Sequence, residues 1–398
     1  MDIIITPGKL RGKMQAIASK SHAHRLLICA AFADVQTNII CQQTNRDIDA
    51  TVDCLQALGA QITRTESGFL VVPAVTIPSE AVLNCCESGS TLRFMLPIVG
   101  ALGVNATFLM EGRLPQRPLS PLWEEMERMA CALTRPTENT LRCTGALRSG
   151  TFRISGSVSS QFITGLLFAG ALIEQETTIE IIGKLESKPY VELTQQALAQ
   201  FGIDSNGYHI AKNTRLRSPG QVVVEGDWSN AAFFLAANAL GSQIDIDNLD
   251  PASTQGDKAI MSSLQQMQSH VTIDATDIPD LVPILSVAAA CAQGAVFTNI
   301  QRLRIKESDR VASVLDMLKS LGCQAWADEN TLTVLPCRFT GGTVDSCGDH
   351  RIAMAAAIAA TAANGPVTII GAQCVAKSYP TFWQEYKQLG GNYEQHIR

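Results

Sequence analysis

The sequence predicts an α/β (α+β) fold assembled from copies of one unit, and three observations carry that reading. Six Ala-, Leu- and Phe-rich segments begin at Arg25, Arg93, Phe162, Ala231, Leu281 and Arg351. Each reads as a buried helix followed by a short polar turn and a β-rich run. Four of the five intervals between their starts are close, at 68, 69, 69 and 70 residues; the step from Ala231 to Leu281 is only 50, the loss of a hairpin-sized piece. Between these segments lies a second, amphipathic helix that often ends in a glycine stop: 48–58 with Gly59, 193–201 with Gly202, 311–321 with Gly322. Each unit therefore reads β-α-β-α-β-β.

Taken in order, residues 93–103 precede the strand-like run 106–110, and 351–360 precede 367–370. The runs 69–72 and 331–334 are alternating strands that follow second helices. Six units exceed one small core, so a chain of 398 residues divides three plus three into two domains. The turn-like triplet Ser218-Pro219-Gly220 marks the change. The first strand, residues 2–6, precedes unit one and suits either domain.

At 46% apolar the chain can fill two cores, and its net charge of −6 argues against nucleic acid as a partner. No apolar run reaches the length of a membrane span. Met1-Asp2 opens with an acid and no signal-like apolar region follows, so a cytoplasmic chain is expected. The twelve cysteines show no CxxC spacing and are expected to be reduced thiols. The six histidines form no metal spacing with cysteines or acids.

Positive charge is nevertheless concentrated locally. In Arg304-Ile305-Lys306-Glu307-Ser308-Asp309-Arg310 five of seven residues are charged, in a chain that is 17% charged. The stretch joins a strand-like run to a helix start, where anions bind, with Ser308 or Asp309 as the cap. Alone it also fits a solvated helix start laced with ion pairs. A basic residue recurs at the entry to the second helix: Arg46, Arg117, Lys188, Lys306 and Lys377. The first helices begin in polar clusters: Ser19 to Arg25, Glu87 to Arg93, Ser157 to Gln161, Asp227 to Asn230, Asp277 to Asp280 and Gly348 to Arg351. Each could be an ordinary N-cap. Lys20 with Arg25, Arg93, and His350-Arg351 go further, because caps do not need adjacent cations.

These motifs together resemble the 5-enolpyruvylshikimate-3-phosphate synthases of the enolpyruvyl transferase family. The resemblance rests on Ser19-Lys20-Ser21 with Arg25, Ser90-Thr91-Leu92-Arg93, Arg117-Pro118, 156–162, Ser187-Lys188-Pro189-Tyr190, Glu225-Gly226-Asp227, Ile278-Pro279-Asp280, 306–310, Asp349-His350-Arg351 and Lys377. It covers nearly the whole chain, in family order. It implies a two-domain inside-out α/β barrel of six repeats, with the N-terminal strand in the C-terminal domain: 1–13 with 222–398, and 14–221 inserted. It implies transfer of the enolpyruvyl group of phosphoenolpyruvate to the 5-hydroxyl of shikimate 3-phosphate, with release of phosphate and no metal or organic cofactor. The family contains the target of the inhibitor glyphosate.

Carried over residue by residue, the resemblance implies Lys20, Asp280 and Glu307 as the proton-handling groups. Shikimate 3-phosphate falls to Lys20, Ser21, Arg25, Ser159, Ser160, Gln161, Ser187, Tyr190, Asp280 and Lys306. Phosphoenolpyruvate falls to Lys20, Gly89, Ser90, Arg117, Gln161, Glu307, Arg310, His350, Arg351 and Lys377. Partners are then these two small molecules, with no nucleic acid or membrane, and the chain is a monomer. Glu87, Phe94, Arg302, Gly348 and His22-Ala23-His24 depart from the family's usual residues. The related UDP-N-acetylglucosamine enolpyruvyl transferases have Lys-Asn after the first serine and a cysteine in the second unit's loop. Here Ser21 follows Lys20, and 114–121 lacks cysteine. A non-catalytic anion-binding scaffold is the remaining alternative, and Lys20, Asp280 and Glu307 together argue against it.

Overall fold

A computed structural model of the chain describes residues 1–396. The chain divides into two compact units, Ala18–Glu225 and the remainder, Met1–Ile17 with the segment from Gly226 on.

In the unit Ala18–Glu225, three repeats each contribute a pair of helices: α1 (Lys20–Ala31) and α2 (Arg46–Ala57), α3 (Gly89–Leu102) and α4 (Leu122–Arg128), α5 (Ser160–Leu172) and α6 (Lys188–Gln200). The second repeat shows the pattern in full. Strand Glu80–Asn84 runs parallel to Asn105–Leu109 across α3, and after α4 the hairpin Cys131–Thr137/Thr140–Gly145 completes the sheet antiparallel. In the third repeat the closing hairpin shrinks to His209–Ile210. The first helices α1, α3 and α5 are buried nearly all round: Leu26, Leu27, Phe94, Phe162, Leu166 and their neighbours fill the core, and α1 also buries His22, His24 and Arg25. The second helices bury one face. Their glycine stops work as the sequence predicts: Gly59 and Gly202 follow α2 and α6 at φ +103° and +81°, where a Cβ would be strained.

The other unit repeats the plan with α7 (Trp228–Ala239), α8 (Ile260–Gln266), α9 (Val282–Cys291), α10 (Arg310–Ser320), α11 (His350–Ala360) and α12 (Phe382–Gln388). Here α7, α9 and α11 are the enclosed helices. The fourth repeat has no hairpin between α8 and strand Val271–Asp274, which accounts for its 50-residue interval.

Each unit takes one strand from a distant part of its chain. Arg11–Gln15 pairs parallel with Gln243–Asp247 and so opens the fourth repeat. Gln221–Val223 pairs parallel with Thr37–Ile40 and opens the first. Asp2–Thr6 lies between Val367–Ile370 and Asn392–His396, antiparallel to both. The cuts expected after residues 13 and 221 fall inside these paired strands, and the units divide after 17 and 225 instead.

One expectation is corrected. Cys323 and Cys337 form a disulfide, with Cα atoms 5.6 Å apart. Cys323 follows the glycine stop of α10, and Cys337 follows strand Thr331–Val334, which folds back over that helix end. Their separation of 14 residues matches no disulfide motif, so only the fold brings them together. Among the described residues no helix is long and apolar enough to cross a membrane.

Candidate active site

In five of the six repeats the polar cluster ahead of the first helix supplies its N-cap: Ser19, Ser88, Ser159, Asp227 and Asp349 each accept a backbone N–H of the first turn. The fifth repeat differs. Helix α9 starts at Leu281–Val282–Pro283 with no side-chain cap, so the Asp280 carboxylate is turned to other partners.

Those partners are cations. Arg310 Nη1 donates to Asp280 Oδ1 at 2.6 Å, and Arg351 Nη2 donates to Oδ2 at 2.9 Å. Lys306 Nζ lies 3.8 Å from Oδ1. The Arg310 guanidinium is 1% exposed, and each of its three nitrogens donates to a carboxylate: besides Nη1 to Asp280, Nε donates to Asp349 Oδ2 at 2.8 Å and Nη2 to Glu307. Asp309 caps α10, while Ser308 turns inward and donates to Asp349 Oδ2 at 3.1 Å. The stretch 304–310 thus hands one carboxylate, one lysine and one arginine to a cluster built with the starts of α9 and α11. Half-buried Arg304 turns to other partners, the carbonyl of Asp328 and the Asp309 carboxylate.

Electrostatics follow from this packing. Burial alone would raise the Asp280 pKa, but Arg351, Lys306 and Arg310 outweigh it and hold the carboxyl well below the usual carboxylate range. Burial pushes Lys306 down to about 8, with Arg302 and Arg310 adding to the shift and Asp280 opposing it. Burial, with Asp280 adding, pushes Asp257 up to about 6. His350 is buried at the start of α11, its Nδ1 3.9 Å from Asp349 Oδ1. Lys377 ends the 3-10 turn Ala372–Lys377 and is half-buried.

In the unit Ala18–Glu225 the predicted residues gather at helix N-termini. Gln161 connects two of them, donating to Ser90 Oγ at 2.9 Å and accepting from Arg93 Nη1 at 3.2 Å. Both arginines close on Gly89: a Cβ there would lie 2.6 Å from Arg117 Nη1 and Arg93 Nη1, so any side chain would displace the two guanidiniums. Ser159 spends its side chain on the N–H of Gln161, and Ser160 is buried in the first turn of α5. Ser187 sits at φ +55°, a left-handed conformation uncommon for a residue with a Cβ, immediately before α6.

Arg25 is held by protein acceptors. It donates to Thr194 Oγ1, the Ser21 carbonyl and the Tyr190 carbonyl at 2.8, 2.6 and 2.8 Å, and burial pushes its pKa down to about 9. It therefore ties the start of α1 to that of α6. Lys20 pairs with Asp47 at 3.0 Å. Asp47 was missed in the sequence, where Arg46 drew attention as the recurring basic residue; Arg46 is exposed and Asp47 points inward. The other recurring positions split the same way: Lys188 is exposed and paired with Glu192, while Arg117, Lys306 and Lys377 are half-buried. Helical phase was the available signal, since Asp47 shares the apolar face of α2 with Thr51 and Cys54. Among the described residues no group of three or more His, Cys, Asp or Glu side chains is arranged to hold a metal ion.

The family model for EPSP synthase (3-phosphoshikimate 1-carboxyvinyltransferase) matches residues 4–386. The chain is 38% identical to the 3-phosphoshikimate 1-carboxyvinyltransferase of Clostridium perfringens, covering 98% of each chain. It is 36% identical to that of Clostridium kluyveri, over 99% of this chain and 98% of the other. The solved structure of the EPSP synthase from Acinetobacter baumannii superposes over 99% of this chain and all of its own, with a TM-score of 0.81 at 24% identity, and so shares the fold. The chain belongs to the EPSP synthase family.

Proposed function

We infer that the chain transfers the carboxyvinyl group of phosphoenolpyruvate to the 5-hydroxyl of shikimate 3-phosphate, releasing inorganic phosphate; the name of its family supports a carboxyvinyl transfer to 3-phosphoshikimate. The family match over residues 4–386 carries this reading. The 5-oxygen bonds to C2 of phosphoenolpyruvate as its proton leaves and a proton is added at C3. In the second step the C2–O bond to phosphate breaks and a proton leaves the new methyl group, restoring the double bond.

The roles proposed follow from charge and position. Asp280 accepts the hydroxyl proton. Glu307, bound to Arg310 at the edge of the same cluster, protonates C3 and later removes a proton. General acid–base help of this kind is worth about a hundred- to ten-thousand-fold. Lys20 stabilises the departing phosphate. Arg117, Arg310, His350, Arg351 and Lys377, with Gly89, Ser90 and Gln161, serve phosphoenolpyruvate. Ser21, Ser159, Ser160, Gln161, Ser187, Tyr190 and Lys306 serve shikimate 3-phosphate, and Arg25 acts behind Ser21 and Tyr190. The proposal extends to a monomer acting in the cytoplasm.

Phosphate release from phosphoenolpyruvate, measured with shikimate 3-phosphate and with UDP-N-acetylglucosamine as alternative acceptors, tests the reading. Release is expected with the first alone. Release with the second alone, or with neither, would refute it.

A further inference from the structure

Lys20 lies at the start of α1 and Asp47 at the start of α2, and their side chains meet at 3.0 Å with exposures of 16% and 7%. One turn further along each helix stand His24 and Thr51, on the same faces by helical spacing. These also meet, His24 Nδ1 lying 2.7 Å from Thr51 Oγ1. The two helices are therefore joined by two successive rungs, one charged at their N-termini and one neutral and wholly buried.

The neutral rung continues into α3. Thr51 Oγ1 is 2.7 Å from Thr91 Oγ1, and Thr91 donates to Ser88 Oγ at 2.7 Å. With the Thr91 proton committed to Ser88, Thr51 donates to Thr91 and leaves its oxygen to accept from His24 Nδ1–H. The chain runs one way and sets the tautomer of His24, whose ring meets that of Phe94 in a T-shaped contact, centroids 6.2 Å apart. Thr91 also approaches the backbone carbonyl of Asp47, at 3.4 Å. The result is a junction of three helix N-termini, joined at His24, Thr51 and Thr91.

We propose that Asp47 is a positioning residue for Lys20: its carboxylate, carried on a helix start that the His24–Thr51–Thr91 chain ties to α1 and α3, fixes the Lys20 ammonium at the junction of α1, α2 and α3. Lysine carries a flexible four-carbon stem, so an ammonium beside three positive helix ends would swing to solvent without an anchoring anion. The inference rests on the reading of Lys20 as a group that acts on the substrate phosphate. Asp47 itself touches Lys20 and acts through it.

The test is a double-mutant cycle on turnover in the full chain, using Asp47→Asn, Lys20→Ala, Lys20→Arg and the doubles. Phosphate release is followed in single turnover, with calorimetric binding of shikimate 3-phosphate and thermal unfolding recorded for each. Asp47→Asn is expected to lower kcat by about a hundred-fold, the cost of a misplaced group, and to leave shikimate 3-phosphate affinity within about threefold. Asp47→Glu should restore part of the loss. In either Lys20 background Asp47→Asn should then change kcat by less than about threefold, because its effect passes through Lys20. Equal losses from Asp47→Asn with and without Lys20 would assign Asp47 a merely structural role and overturn the proposal. If Asp47→Asn does not fold, the same cycle with Thr51→Val, which loosens α2 while keeping both charges, decides: a kcat loss that vanishes without Lys20 supports the proposal, and one that persists refutes it. Wild-type kcat in Lys20→Ala would sink the Lys20 reading itself. A silent Asp47→Asn beside a crippled Lys20→Ala would sink only the present inference.

Discussion

Acid should unfold the unit Ala18–Glu225 through two buried histidines. In an unfolded chain each imidazole takes up a proton near pH 6.5. In the fold, burial first, with Arg25 adding, holds His22 down to about 4. Burial, reinforced by Lys20 and Arg25 and partly opposed by Asp47, holds His24 down to about 3. The carboxylate of Glu225 lies 3.8 Å from His22 Nδ1 and would favour a charged ring. That nitrogen, however, already accepts the backbone N–H of Glu225 at 3.3 Å, so protonating it would break a buried bond. The neutral ring is the consistent state. Folded values below the unfolded one mean that the unfolded chain binds more protons as pH falls, so stability is lost from about pH 6.5 downward. At about pH 4.5 each ring sits roughly two pH units below its unfolded pKa and still above its folded one. Each therefore costs about 2–3 kcal/mol, or about 5 together. Urea unfolding at about pH 7.5 and 4.5, for the native chain, His24→Asn and His22→Val, isolates the effect. Titrating carboxylates are common to all three proteins and cancel in the comparison. Each variant should lose about 2–3 kcal/mol less on acidification than the native chain. Parallel losses in all three would refute the argument.

Asp280→Asn removes a carboxylate bonded to Arg310 and Arg351, leaving buried cations undercompensated; a stability loss of about 3–5 kcal/mol is expected by calorimetry. Added inorganic phosphate should raise the Tm of this variant more than that of the native chain, and an equal rise would contradict the account. Glu307→Gln is nearly isosteric and should keep shikimate 3-phosphate binding while losing about a hundred- to ten-thousand-fold in turnover. Native turnover would remove Glu307 from the proton chemistry. In the double variant Ser159→Ala/Ser160→Ala, shikimate 3-phosphate should bind more weakly by about 1–3 kcal/mol in calorimetry. Unchanged affinity would put the phosphate elsewhere.

Periodicity made the architecture legible. The spacing of the buried helices and the glycine stops is a property of single residues, and it survives in the fold at Gly59, Gly202 and Gly322. Strand exchange was legible only through the family resemblance, which puts the N-terminal strand in the C-terminal domain; local pattern carries no register, and Arg11–Gln15 pairs with a segment more than two hundred residues away. The missing hairpin of the fourth repeat was readable only as a short interval. Among the candidate residues, sequence equivalence between repeats overstated equivalence of environment: Arg46 and Lys188 occupy the same slot as Lys306 and end in solvent. Asp47 shows only in its helical phase, on the apolar face of α2. A charged residue on the buried face of a helix reads as an exception until its partner on another helix is known, and here the partner is Lys20. The cysteine pair 323–337 likewise depends on a chain reversal that spacing does not encode.

On the proposed roles, the cluster around Asp280 poses a difficulty that its own charges resolve. A carboxyl held well below its usual range by Arg351, Lys306 and Arg310 is a poor acceptor for a hydroxyl proton. The same cations are the groups assigned to the substrate anions. When a phosphate or carboxylate binds to Arg351 or Lys306, part of their field is neutralised by the ligand, and less of it remains to stabilise the Asp280 anion. Its basicity then rises with substrate binding. Lys306, pushed down to about 8 by burial and neighbouring arginines, should regain affinity for its proton as an anion approaches. Binding would thus move both groups in the direction the first step needs, a stronger base at Asp280 and a firmly charged Lys306. The chain's overall charge of −6 coexists with such a site because the cations around Asp280 are paired with carboxylates: Arg310 donates to Asp280, Glu307 and Asp349, and Arg351 to Asp280, so the arriving anion meets a cluster that is compensated and organised in advance.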